Sequence, residues 1–202
     1  MPEMKFGNMP ADNGYLIFSS AEDKDAFLQK EPLASRYIYK LVGAFELIHR
    51  MPRYCLWLEG VSEKEIQKLP LVYQRVCKVK EVRLDSSRPQ LANTSALFAQ
   101  ITQRPGKAFI AIPKTSSERR QYIPMAFLDE ATVSTTEVFT ISEGASLSLF
   151  GVLTSLMHMC WVKAVCGRLK SDYRYSKDIV YNNFPFPRIS DRQRKELSEL
   201  AK

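Results

Sequence analysis

GRLKSDYRYSKDIVYNNFPFP, residues 167–187, interleaves cations with rings. Arg168, Lys170, Arg174 and Lys177, followed by Arg188, alternate with Tyr173, Tyr175, Tyr181, Phe184 and Phe186. In an extended chain successive side chains point to opposite sides. An extended 170–175 segment would therefore send Lys170, Asp172 and Arg174 one way and Ser171, Tyr173 and Tyr175 the other. One face would offer a cation, an anion and a cation, and the other would offer rings for packing. Lys and Arg donate to the guanine O6/N7 edge and Asp accepts from cytosine N4, so a Lys–Asp pair can cover both edges of one G·C pair. From spacing alone, a solvated strand with cross-strand ion pairs fits equally well. Each proline of the FPFP end forces its predecessor out of the helical region, so residues 183–187 are extended and close a domain. This predicts a domain over 1–189 and a new helical segment from 190.

Outward from this stretch, Ser146 to Cys166 is the most hydrophobic segment. Its length invites a transmembrane reading. Ser148, Gly151, Ser155 and His158 fall on one helical stripe, which fits instead one long helix buried on most sides. His158 reads as a satisfied buried histidine, and Gly167 stands where the helix should end. On the other side, Ser190 or Asp191 caps a charged helix that runs to Lys202.

Earlier in the chain, Asp12-Asn13-Gly14 is a turn signal and Tyr15–Phe18 a short buried strand. Ser20 is an N-cap with Glu22, Asp23 and Asp25 in the first turn. Asp12, Glu22 and Lys24 imitate the acid spacing of metal-dependent nucleases, but a Glu at a helix start is better explained by the helix dipole. The pattern predicts a helix over 33–42, strands over 45–48 and 53–58 around a Met51-Pro52 turn, a capped helix over 62–68, and a helix over 69–84. Leu71, Val72, Val76 and Val79 form the apolar stripe of that last helix, with Arg75, Lys78 and Arg83 outside. Strands are expected over 108–113, 122–128 and 132–142.

The formal net charge is +7, and from Leu71 to Ile123 ten basic residues face three acids, so this span carries all of it. A charge run is usually a solvated face, but an excess held in a quarter of the chain favours an anionic partner. Within it the 114–120 loop, KTSSERR, mixes hydroxyls with cations. Lys114, Ser116, Arg119 and Arg120 are candidates for backbone contacts from this chemistry, with Arg168 and Lys177 from the closing stretch. The cysteines Cys55, Cys77, Cys160 and Cys166 show no CxxC spacing, which argues against a metal site. Unpaired thiols and the lack of a targeting pattern favour the cytoplasm, with no membrane partner.

The closing stretch resembles the end of target recognition domains in the MmeI family, bacterial enzymes that fuse an endonuclease, an adenine-N6 methyltransferase and a DNA-reading domain. FGNMPADNGYLIFS (6–19), the block over 44–58 that contains ELIHRMPRYCLWL, and IPKTSSERRQYIPMAFLD (112–129) resemble three further blocks of that family, in the same order. The elements read along the chain predict an α+β fold with short, mostly antiparallel strands, one long buried helix and several peripheral helices. The resemblance implies double-stranded DNA as partner and an upstream methyltransferase domain in the same polypeptide. S-adenosylmethionine would bind in that upstream domain and no cofactor in this chain. Lys170, Asp172 and Arg174 match family positions that set the recognised bases, and Val138 is a weaker match of the same kind.

The sequence lacks a Gly-containing cofactor pocket and the Asn/Asp-Pro-Pro-aromatic motif that holds a flipped adenine. The chain is therefore expected to read DNA without catalysing, while the base flips into the neighbouring domain. Two other classes stand beside this. An RNA or single-strand binder would expose Tyr173, Tyr175 and Phe184 as stacking platforms. A protein-docking domain would show no preference among duplexes.

Overall fold

A computed structural model describes residues 1–51 and 53–202, and its first half reads β1 (Lys5–Phe6), β2 (Ile17–Phe18), α1 (Ala21–Lys30), β3 (Ile38–Val42), α2 (Ala44–His49), β4 (Arg53–Leu56), α3 (Glu63–Gln67) and α4 (Pro70–Leu84). The second half adds β5 (Phe109–Pro113), β6 (Thr115–Ser116), β7 (Ala126–Leu128), β8 (Thr132–Ser134), β9 (Val138–Ile141), α5 (Leu147–Leu153), α6 (Leu156–Val165), β10 (Gly167–Leu169), β11 (Asp172–Arg174) and α7 (Asp191–Leu200). The class is α+β, as expected. Three sheets form, in the orders β2-β4-β3-β8, β1-β9-β5-β7 and β10-β11-β6. All their pairings are antiparallel except β3 with β8.

Two apolar cores follow from this division. Phe18, Leu41, Leu56, Trp57, Val72 and Val76 pack under the first sheet, against α1 and α4. Ile110, Ile112, Ile141, Met159, Val162, Tyr173, Tyr175 and Tyr181 pack between the second sheet, α6 and the hairpin of β10 and β11. The chain steps from one core to the other between β8 and β9, so the single strand expected over 132–142 is two strands in different sheets. Buried polar groups join the cores there. The Asn8 amide donates to the Gln103 carbonyl at 2.8 Å, and the Ser134 N–H donates to Gln103 Oε1 at 3.0 Å. Gly7 lets the backbones meet, because a Cβ there would run into the Thr135 carbonyl.

The structure corrects several sequence expectations. Residues 32–37 form a 3-10 segment and 38–42 a central strand paired on both edges, where a helix is expected over 33–42. Two-sided ladder pairing and burial outweigh weak helical periodicity. Residues 45–48 lie in a helix rather than a strand, since Glu46 reaches back to accept the Gly43 N–H at 2.8 Å. Pro52, half of the expected Met51-Pro52 turn, lies outside the described residues.

The expected long helix is two, α5 and α6, bent by 51°. Thr154 returns its hydroxyl to the Phe150 carbonyl, and Ser155 caps α6 by accepting from the His158 N–H. Hydroxyls that compete for backbone groups end one helix and start the next. Among the described residues no single helix is long and apolar enough to cross a membrane. α6 ends at Val165 with Cys166 already extended, so Gly167 opens β10 and does not form a left-handed cap.

Other expectations hold. Ser20 caps α1, Ser62 caps α3 with Glu65 in a capping box, and Ser190 caps α7 with Gln193. Asp12 accepts the Leu16 N–H at 2.7 Å within its own turn.

Arg83 is the largest correction on α4. Instead of pointing outward it is 2% exposed. Its guanidinium donates to the carbonyls of Pro10, Ala11, Leu91, Thr94 and Leu97 at 2.8–3.1 Å, pinning the N-terminal loop to the segment after α4. An unpaired buried acceptor costs about 1–3 kcal/mol, and several are orphaned together if the guanidinium is lost. Arg83→Met should therefore lower unfolding free energy by about 3 kcal/mol or more, read as a fall in the urea midpoint at unchanged slope. A change under about 1 kcal/mol would show that water replaces these bonds freely.

Candidate nucleic-acid interface

β10 and β11 form a hairpin in which Leu169 pairs with Asp172, leaving Lys170-Ser171 as a two-residue turn. Lys170 carries φ +55°. It is therefore not on an extended strand, as the alternation argument supposes, but at the hairpin tip. The expected alternation begins at Asp172. β6 adds a third strand with Tyr173 opposite Ser116 and Arg174 opposite Thr115.

Directly opposed residues share a face. The inner face carries Arg168, Tyr173 and Ser116, and the outer face carries Leu169, Asp172, Arg174 and Thr115. Arg174 and Lys170 are exposed and Asp172 and Thr115 half-buried. Asp172 Oδ1 accepts the Glu118 N–H at 3.3 Å, which ties the 117–120 turn to the hairpin. That turn carries exposed Arg119 and half-buried Arg120.

Two expected contact residues are enclosed. Ser116 is 3% exposed, and its hydroxyl has no hydrogen-bond partner among the described residues. Strand alternation turns it inward beside Tyr173. Val138 is fully buried in β9, opposite Pro113.

Lys114 stands where β5 passes into β6. Burial first, then the Arg174 guanidinium, lower its ammonium pKa, and Glu137 opposes them. Its Nζ lies 4.4 Å from the centroid of the Phe6 ring, and Lys177 Nζ lies 5.8 Å from the same ring. Phe6, itself partly exposed, thus gathers two of the expected cations beside Arg174. Sequence reasoning missed Phe6. Its only signal there is its place at the head of the first family-like block.

The +7 charge is less concentrated than the sequence suggests. Arg75 donates to the Tyr15 carbonyl at 2.9 Å and stacks on Phe18, and Arg83 is buried. Arg104 pairs with Glu59 at 2.8 Å and Lys107 with Glu143 at 2.7 Å. Among the described residues, protein carbonyls or carboxylates thus bind four of the ten cations in the 71–123 span.

The hairpin rests on buried rings. Tyr173, Tyr175 and Phe184 all lie in the interior. None is available as a stacking platform, which removes the single-strand reading. Tyr175 OH and His158 Nε2 lie 3.0 Å apart, fastening the strand end to α6. Burial lowers the His158 pKa from 6.5 to about 4. The unfolded chain therefore takes up this proton first as pH falls. Stability from this group is full above pH 6.5 and is lost towards pH 4. Between pH 7 and 5 the loss should be roughly 2 kcal/mol, and His158→Gln should lack that share. Denaturant titrations of both proteins at each pH provide the check. Parallel pH profiles would mean His158 is charged or hydrated when folded.

Arg168, a candidate backbone contact, is exposed at the base of the turn. Its guanidinium lies 3.9 Å from the Tyr173 ring centroid and donates to the Ser171 carbonyl at 3.1 Å. These contacts brace the turn that carries Lys170. If the hairpin tip meets a base pair, Arg168→Ala should weaken discrimination there while leaving the salt dependence of DNA binding unchanged. A salt slope flattened by about one unit with specificity intact would make Arg168 a phosphate contact instead.

An α+β domain that offers a charged hairpin face backed by buried tyrosines has the form of a recognition module. The sequence matches the family described as MmeI, target recognition domain, over residues 1–188, and the chain belongs to that family. It is 40% identical over 202 residues to DNA methyltransferase A of Bacillus subtilis (strain 168), covering 98% of this chain and 23% of that protein. The solved type IIL restriction-modification enzyme MmeI, in complex with DNA, superposes with a TM-score of 0.90 at 42% identity, over 100% of this chain and 27% of that one. The type IIG restriction endonuclease BpuSI shares the fold, with a TM-score of 0.63 at 16% identity over 98% of this chain and 25% of its own. The chain thus spans about a quarter of the length of these relatives.

Proposed function

We propose that this chain reads the sequence of double-stranded DNA for a larger bacterial enzyme that methylates adenine N6 and belongs to a restriction-modification system. One observation carries the reading. The outer face of β6, β11 and β10 sets Thr115, Arg174 and Asp172 on a single side, with Lys170 at the tip. A β-ribbon fits the major groove, where Lys and Arg donate to guanine and Asp accepts from cytosine. Lys114, Lys177, Arg119 and Arg120 flank this face and would hold phosphates, which position the module without specifying sequence.

Residues 1–189 form the reading domain in this account, and 190–202 begin a C-terminal helical segment. S-adenosylmethionine and the catalytic groups belong to an upstream domain of the same polypeptide, into which the target base is flipped. The relatives support this division, being methyltransferase and restriction enzymes of which this domain is a quarter. The setting is the cytoplasm, where such an enzyme meets its DNA.

Lys170 and Asp172 in the full-length parent provide the test. If they face one G·C pair, changing either alone leaves mismatched donors or acceptors, at about 1–3 kcal/mol each. Lys170→Asp or Asp172→Lys should abolish most modification of the parental site, and the double exchange should move recognition to another base pair. Sequencing of methylated positions in a host genome reads the outcome. A double variant that still modifies the parental site at normal levels would show that these residues do not read bases.

A further inference from the structure

The outer face of the hairpin contains one apolar side chain. Leu169 is 52% exposed and belongs to neither apolar core. A single exposed leucine is ordinary on a protein surface. This one is directly opposite Asp172 in the strand register, at the last pair before the turn, and on the side that bears Arg174 and Thr115. Side chains so opposed have Cβ atoms about 5 Å apart. Successive base pairs along one strand are about 3.4 Å apart. A group beside Asp172 therefore faces the same base pair or its neighbour. The apolar feature of a major-groove edge is the thymine 5-methyl group, which small and aliphatic side chains read by contact.

We infer that Leu169 is a specificity residue that packs against a thymine methyl next to the base pair faced by Lys170 and Asp172. The inference rests on the DNA-reading assignment and adds to it a base class and a position. It also accounts for an aliphatic side chain at the tip of an otherwise polar face. A polar residue there would compete with Lys170 and Asp172 for donors and acceptors, whereas leucine selects by shape alone.

The full-length parent enzyme is the material, with its site first mapped from methylated positions. Each thymine in and immediately beside the site is replaced in turn by deoxyuridine, which removes only the methyl group. One replacement should weaken binding about fourfold, the effect of one buried methyl-sized group. Leu169→Ala should bind the thymine duplex more weakly by a similar factor and should no longer respond to that replacement. Leu169→Ile, which keeps apolar reach, should respond as the parent does. Because the side chain is half exposed and outside both cores, thermal melting of the variants should match the parent. A site with no responsive thymine, or a Leu169→Ala enzyme as sensitive to uracil as the parent, overturns the inference. Failure of the parent to distinguish its site from a scrambled duplex would instead bring down the DNA-reading assignment itself.

Discussion

The inward packing of Tyr173 and Tyr175 is the constraint on which the charged outer face of the hairpin depends. Side chains alternate along a strand, so fixing these two rings inside sets Asp172 and Arg174 outside. A slip of one residue would reverse both sets. Tyr175 is held further by its contact with His158 on α6, and Tyr173 by the Arg168 guanidinium above its ring. The apolar core thereby aims a polar face. Under the proposed function, the outer positions could change the bases read while the inner ones keep the register.

The charged residues divide in the same way. Arg75 and Arg83 turn inward and serve backbone carbonyls. Lys114, Lys177 and Arg174 gather near Phe6 and the hairpin. Both groups are cationic, yet one binds backbone carbonyls of the fold and the other gathers around a ring beside the hairpin. Net charge alone does not separate them, because the distinction lies in which carbonyls each side chain can reach.

Much of this was legible in the sequence. Capping residues marked α1, α3 and α7, since a cap is a local bond between near neighbours. The apolar stripe of α4 was visible as period, and the tyrosine alternation gave the inner face of β11. Other features depended on contacts distant along the chain. β3 is a strand because β4 and β8 flank it, and nothing within residues 38–42 announces either partner. The left-handed Lys170 was hidden because a two-residue hairpin usually shows Gly, Asn or Asp at such a position. The inward turn of Ser116 follows from its pairing with Tyr173, more than fifty residues later in the chain. The bend between α5 and α6 was within reach, because Thr154 and Ser155 offer the hydroxyls that make it.

In the proposed function the outer face of the β10-β11-β6 sheet reads base edges. The most direct measurement is a structure of the full-length parent bound to a duplex carrying its mapped site. Asp172 and Arg174 are expected within hydrogen-bonding distance of base edges in the major groove, with Lys114 and Arg119 at flanking phosphates. A complex in which this face meets solvent or the methyltransferase domain, while another surface enters the groove, would contradict it.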